Sequence, residues 1–488
     1  MSTLAAAPAA PGTPQGHPTR WTLHPDRALP SDSAVRPIAR ELYQHIAHEP
    51  IVSMHGHVEA GDLDADRPFG NPAEVLVVPD HYLLRMLVSQ GVPLSALGRE
   101  RRDGGPVERD PREIFRRFAA GWPLFRGTPT RFWMEHVLVD VFGVEQRLSA
   151  ATADAAYDRI AAALADDAFR PLALLDTFRI DILATTDSPS SDLRHHTALH
   201  RRGYEHRIVP TFRPDALLAI DAPGWAGEIA ALGAATGTDV GDYPAYIAAL
   251  EARRAAFVAA GACASDHGTS FTTTEPLGAG DAARIFESAL AGQVSAGEAE
   301  AFAGHMIDQM ARMSTEDGLV MQLHPGALRS HDPGTLAVYG TDVGYDIPVA
   351  VEFTRTLRPL LSRWGHHPRF RVVLFTLDED VYSRELAPLA GVYPAVRLGA
   401  PWWFLDAPDA MRRVRESVVE TAGFANLTGF VDDTRAFFSI PARHDLARRM
   451  DAGHLARLVA EHRLDLDEAY EVAHALVSEL PRAAYTRT

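Results

Sequence analysis

Residues 51–57 read Ile51-Val52-Ser53-Met54-His55-Gly56-His57, a short apolar run that ends in two histidines one residue apart. On an extended strand side chains alternate in direction, so His55 and His57 project to one face, where two imidazoles can share one metal ion. Upstream, the periodicity predicts a helix over about 34–48 that feeds into this run. Downstream, seven further runs of similar character follow, at 180–187, 206–212, 261–267, 318–324, 371–377, 394–400 and 427–433. Stretches rich in Ala, Leu and Arg at helical spacing separate them. Strands alternating with helices imply parallel βαβ units. Eight of them predict an α/β fold of the (β/α)8 TIM-barrel type, with an open doubly wound sheet as the alternative.

The reactive side chains fall where that architecture uses them. His55, His57, Asp187, Arg213, Asp266, His267, His324 and Asp433 lie at the C-terminal ends of the runs or just beyond. In a barrel, that rim is where catalytic groups converge. Closure makes the first and last strands neighbours, which predicts Asp433 beside the His55–His57 pair as a third metal ligand. Satisfied core histidines are the competing reading. The Asp432-Asp433-Thr434-Arg435 stretch offers a carboxylate able to ligate or to act as a base, and a guanidinium fork for a substrate carboxylate. A loop salt bridge would use the same residues. Asp80 reads as the N-cap of a helix carrying His81, Tyr82 and Arg85, residues that on sequence alone suit a solvated face as well as a site. Arg213, in the turn 211–215, is ambiguous, and Trp402 serves either rim packing or an aromatic platform for a sugar.

Composition narrows the classes. The 488 residues are 46% hydrophobic and 23% charged, ordinary values for a folded chain. The expected layout is a flexible N-terminal arm over 1–34, a helix and first strand over 35–57, and a helical insertion covering the barrel mouth over 58–165. The rest of the barrel follows over 166–440, with closing helices over 441–488. A net charge of −17 with no basic patch argues against nucleic acid and anionic membranes as partners. The absence of a signal peptide and of any long apolar span predicts a cytoplasmic protein. Cys263 is the only cysteine, so a metal must be held by histidine and carboxylate. The chain contains no lysine, which excludes Schiff-base chemistry, a P-loop and a carboxylated-lysine metal bridge. The number of subunits is left open, a homo-oligomer included.

Several motifs occur together in order: MHGH at 54–57, DHYLLRMLVSQGV at 80–92, TTDSPSSDLRHH at 185–196, VPTFRPD at 209–215, SDHG at 265–268, VMQLHPGALR at 320–329, WWFLD at 402–406 and DDTRAF at 432–437. From about His24 to about Arg449 the chain resembles the uronate isomerases (glucuronate isomerases) of the amidohydrolase superfamily. The resemblance implies one zinc ion on His55, His57 and Asp433, with His81 and Tyr82 reaching a hexuronate substrate and Arg213 and Arg435 handling its carboxylate. Arg85 and Trp402 complete the expected substrate contacts. The chain departs from the family pattern at Ser53, where an acidic residue is usual, at Pro325, and at Asp432 and Thr434 around the aspartate. Strand alternation predicts that Asp432 points away from the site.

The implied reactions are D-glucuronate to D-fructuronate and D-galacturonate to D-tagaturonate, a proton transfer between C2 and C1 through a cis-enediol. Asp433 is the expected base. Tyr82 with His81 would move the hydroxyl proton, and His324 or Arg435 would stabilise developing oxyanion charge. A metal-dependent hydrolase of the same superfamily is one alternative, and a non-catalytic sugar-acid binding protein is another.

Overall fold

The computed structural model describes residues 20–268 and 272–487. Seven of the eight apolar runs carry a strand: β1 (Ile51–Ser53), β2 (Ile180–Ala184), β3 (Ile208–Val209), β4 (Ala264–His267) and β5 (Val320–Leu323), then β8 (Val372–Leu374) and β9 (Val396–Leu398). Between β5 and β8 lies a small antiparallel hairpin, β6 (Ala327–Leu328) and β7 (Ile347–Pro348), which no run anticipates. The seven strands pair in parallel, as β1-β2-β3 and as β4-β5-β8-β9. Val372, Val373 and Leu374 are fully buried, as strands covered on both faces require.

Among the described residues the ladders form two parallel sheets and no closed barrel. Isolated parallel bridges extend them: Phe212 bridges both Asp187 and Ser265, and Leu427 bridges Leu398. The eighth run, expected as a strand, corrects the sequence reading, since 427–433 contains none. Gly429 (φ 75°) and Asp433 (φ 44°) turn the backbone into the left-handed region, which a ladder does not accommodate. A Cβ at Gly429 would stand 2.6 Å from the Leu476 carbonyl oxygen, so the close approach of the C-terminal segment requires glycine there. The run still reaches the first strand. Asp433 N–H donates to the His55 carbonyl (3.3 Å), and His57 N–H donates to that of Thr434 (3.1 Å).

Between β1 and β2 the chain builds helices that include His81–Val88, Pro111–Ala120, Pro129–His136 and Ala153–Leu164. The first three start on polar caps, at Asp80, Asp110 and Thr128. Their apolar faces join a core that also takes in Phe437 and Phe438, just past the eighth run, where these rings meet Phe69, Phe142 and Phe178. Each such ring contributes roughly 1.5–3 kcal/mol on burial, so the insertion is anchored to the end of the eighth run.

The helix Ile440–Ala460 is buried along most of its length and packs Ala452, Leu455 and Ala456 on Ala39, Leu42 and Ile46 of the helix Val35–Ile46. Of the arm expected over 1–34, residues 1–19 lie outside the described residues. Residues 20–34 lie against the body, with Trp21 buried and its N–H donating to Glu145 O at 2.7 Å. No described helix is long and apolar enough to cross a membrane.

Candidate active site

The backbone bonds between the first and eighth runs bring three side chains to one point. Asp433 Oδ1 lies 3.1 Å from His55 Nε2 and 2.9 Å from His57 Nε2, yet it completes no hydrogen bond. An oxygen so placed, buried and uncommitted, suits a shared cation. Burial opposes ionisation of Asp433, but the two imidazoles hold its carboxyl well below the usual range. The left-handed backbone of Asp433 is a strained conformation for a non-glycine residue, of the kind that clusters at functional sites.

Below this triad lies an ion-paired floor. Asp266 Oδ1 pairs with His324 Nδ1 at 2.5 Å, and its Oδ2 meets Arg213 Nη1 at 3.0 Å and His55 Nδ1 at 4.0 Å. Arg213 is also bound to Asp215 through Nε (2.8 Å). The His324 ring stacks on Phe375 (3.9 Å between centroids) and on His55 (4.4 Å), with Trp402 edge-on. Burial lowers the His324 pKa to about 4 against the pull of Asp266, so the ring is neutral. His55, Asp266 and His324 form a second group spaced to hold a metal ion. Arg213 already supplies a positive charge to its carboxylate.

Above the triad opens a cleft of about 620 Å³, its open mouth included, lined by His57, His81, Tyr82, Trp402, Asp433 and Arg435 among others. Asp80 Oδ1 accepts the N–H groups of Tyr82 (2.8 Å) and Leu83 (3.1 Å), the cap predicted from sequence. His81 is held to about 4 by burial and by Arg435. Arg435 meets Asp342 at 3.4 Å at the cleft wall. Tyr82 OH donates to Asp406 Oδ1 (2.7 Å).

His55, His324 and Arg213 sit in the layer beneath and do not line the cleft, and Arg85 stacks on Phe404 (4.4 Å) outside it. Asp432 turns away from the triad, the expected direction, although residues 427–433 form no strand to impose alternation. Its Oδ2 accepts Ser53 Oγ at 2.5 Å and faces His444 Nε2 at 3.2 Å. The two departures at 53 and 432 are therefore partners in one buried hydrogen bond. Sequence reasoning placed Asp266 at the catalytic rim without a specific role and assigned none to Asp342, Asp406 or Arg443. Asp266 and Asp406 stand inside quoted motifs, whereas nothing local marks Asp342 or Arg443.

A family model described as glucuronate isomerase matches residues 33–481. The chain belongs to the glucuronate isomerase family. A uronate isomerase of Rhizorhabdus wittichii is 51% identical over 463 residues, covering 95% of this chain and 98% of the relative. One of Xanthomonas campestris pv. campestris is 50% identical over 468 residues, covering 96% and 99%. The crystal structure of glucuronate isomerase from Caulobacter crescentus superposes with a TM-score of 0.92 at 48% identity, covering 95% of this chain and 97% of that one. Family membership makes the chain an aldose–ketose isomerase and disfavours both the hydrolase and the non-catalytic alternatives.

Proposed function

We propose that this chain interconverts D-glucuronate with D-fructuronate, and D-galacturonate with D-tagaturonate, by moving a proton between C2 and C1 through a cis-enediol. The observation that carries the reading is the uncommitted Asp433 Oδ1 between two imidazoles, at the base of a cleft lined by His81, Tyr82 and Arg435. The donor set of two imidazoles and one carboxylate suits zinc, which when bound polarises substrate oxygens and orients the open-chain sugar.

Asp433 enters ionised, takes the C2 proton and returns it at C1. Arg435 holds the substrate carboxylate, and the indole Nε1 of Trp402, buried without a partner, offers the sugar a donor. His324 needs reassignment. A neutral ring whose Nδ1–H donates to Asp266 leaves Nε2 as an acceptor in the layer beneath the cleft, so it is assigned to the floor and not to oxyanion stabilisation. Arg213, bound to Asp266 and Asp215, is assigned to the floor. Arg85, stacked on Phe404, is assigned to hold the rim.

The insertion 58–165 contributes His81 and Tyr82 to the cleft. We also read the two sheets as one barrel wall. Val52, Ala264, Val320, Val373 and Val431, from five different runs, share a single apolar cluster, and the Phe212 and Leu427 bridges span the gaps between ladders. A single cysteine, leaving no disulfide to form, suits the cytoplasm.

The test is Asp433→Asn, with deuterium at C2 followed as glucuronate turns over. We expect kcat to fall by about 10³-fold or more, with C2 exchange lost in step. Turnover and exchange both near wild-type rates would remove Asp433 as the base. Assays with and without chelator test the metal.

A further inference from the structure

The Tyr82 hydroxyl is not a free phenol. It donates to Asp406 Oδ1 at 2.7 Å and accepts the Phe404 N–H at 2.9 Å. Asp406 Oδ2 in turn takes Arg443 Nη1 at 2.9 Å. Arg443 comes from the helix Ile440–Ala460 and is itself fixed by Ser439 Oγ (3.2 Å) and the Asp432 carbonyl (3.4 Å), with its guanidinium over the Trp133 ring at 4.0 Å. Asp406 and Arg443 are each 4% exposed. Both acidic and phenolic members of this chain border the cleft.

With its hydrogen committed to Asp406 and one lone pair to the Phe404 N–H, the Tyr82 oxygen keeps one lone pair able to accept from a sugar hydroxyl in the cleft it borders. Resting on the isomerase reading above, we propose that Asp406 is the temporary proton holder behind Tyr82. As the C2 hydroxyl proton passes to the Tyr82 oxygen, the Tyr82 hydrogen passes to Asp406 Oδ1. One sugar O–H bond breaks as a Tyr82 O–H forms, and one Tyr82 O–H breaks as an Asp406 O–H forms. The return step runs the same bonds backwards at O1 of the sugar. Tyrosine and aspartate end as they began, and no phenolate arises beside a carboxylate.

The electrostatics favour this route over a tyrosinate. Burial, followed by the Asp406 charge, holds the Tyr82 phenol well above its usual value. Burial pushes the Asp406 carboxyl up against the opposing pull of Arg443. Asp406 acts through Tyr82, so it is a positioning residue. Its removal should slow the proton step without loosening substrate.

The experiment compares Asp406→Asn, Asp406→Glu, Tyr82→Phe and the Asp406→Asn/Tyr82→Phe double variant, each with metal content and melting temperature measured, in glucuronate isomerisation across H2O–D2O mixtures. We expect Asp406→Asn to lose about 10²-fold in kcat while KM stays within about threefold, and Asp406→Glu to recover much of the rate. The double variant should be no slower than Tyr82→Phe alone, since both remove one relay. The wild-type proton inventory should be bowed, with two protons in flight, and that of Asp406→Asn linear. Wild-type kcat in Asp406→Asn, or losses that multiply in the double variant, would overturn the relay. If Asp406→Asn does not fold, a linear wild-type inventory overturns it equally. A wild-type enzyme that forms no ketose instead overturns the isomerase reading itself.

Discussion

The triad and the Tyr82 side of the cleft are built on opposite terms. At the triad, Asp433 Oδ1 lies 2.9–3.1 Å from two imidazole nitrogens and completes no hydrogen bond. At Tyr82, the hydroxyl, both oxygens of Asp406 and the guanidinium of Arg443 are all engaged. Buried polar groups left unpaired are expensive, whereas a fully satisfied network rigidifies its surroundings. The first region is thus preorganised for a cation from outside, and the second for holding a phenol in one orientation. One side awaits a ligand, and the other is complete without one.

The sharpest attempt to break that contrast is Arg443→Met. If the Tyr82 side depends on its internal ion pair, the variant leaves Asp406 buried and unpaired, and folding stability should fall by about 3–5 kcal/mol. Its affinity for metal per folded molecule should stay near wild type. Chemical denaturation alongside metal titration reads both, and a wild-type unfolding midpoint would erase the distinction.

A smaller effect is expected beneath the triad. Asp432→Asn weakens the Ser53–Asp432–His444 contacts that brace the end of β1 just before His55, and should cost about 10–100-fold in metal affinity, as lost outer-shell partners do. The exchanged pair Ser53→Asp/Asp432→Ser restores one carboxylate facing one hydroxyl and should regain most of that affinity in a competition titration. No gain over Asp432→Asn would show that the two positions do not act as a pair.

The smallest effect serves as a control from outside the cleft. His305 is buried, accepts the Leu277 N–H on Nδ1 (3.1 Å) and pairs with Tyr243 OH (2.6 Å); burial lowers its pKa to about 4. Between pH 6.5 and 4 the unfolded chain binds the extra proton and the folded one does not, so stability is full above this window and falls as pH drops through it. The contribution lost by pH 5 is about 2 kcal/mol. His305→Gln should flatten that slope in pH-dependent melts without changing metal affinity; an unchanged slope would locate the acid sensitivity elsewhere.

Much of this was legible in the sequence, for reasons that also mark its limits. Period-two placement anticipated His55 and His57 on one face, and the order of the runs anticipated Asp433 beside them; backbone hydrogen bonds between the first and eighth runs make that approach, with no strand in the eighth. The eighth run kept its chemistry but lost its strand. Its apolar residues read as extended backbone, while Gly429 and Asp433 adopt left-handed conformations set by tertiary approach. Arg213 is ambiguous on sequence alone and a substrate anchor only by the resemblance; its pairing with Asp266, from a different run, leaves no local signal. Ser53 and Asp432 read as two separate irregularities, since a hydrogen bond between distant segments leaves no spacing to detect. The Asp406–Arg443 pair was hidden for the same reason.

The distance between those two irregularities has a consequence for how the protein comes into being. Ser53 and Asp432 are 379 positions apart, and they brace a triad drawn from the same two ends of the chain. Closing so long a loop is an entropic burden that only a nearly finished fold can carry. A polypeptide still lacking its last segment has made every apolar run but the eighth and lacks Asp433, so the His55–His57–Asp433 group cannot form. With the metal proposed above on that group, its uptake would report the end of synthesis and folding, and a truncated product would lack the proposed ligand and base Asp433 together.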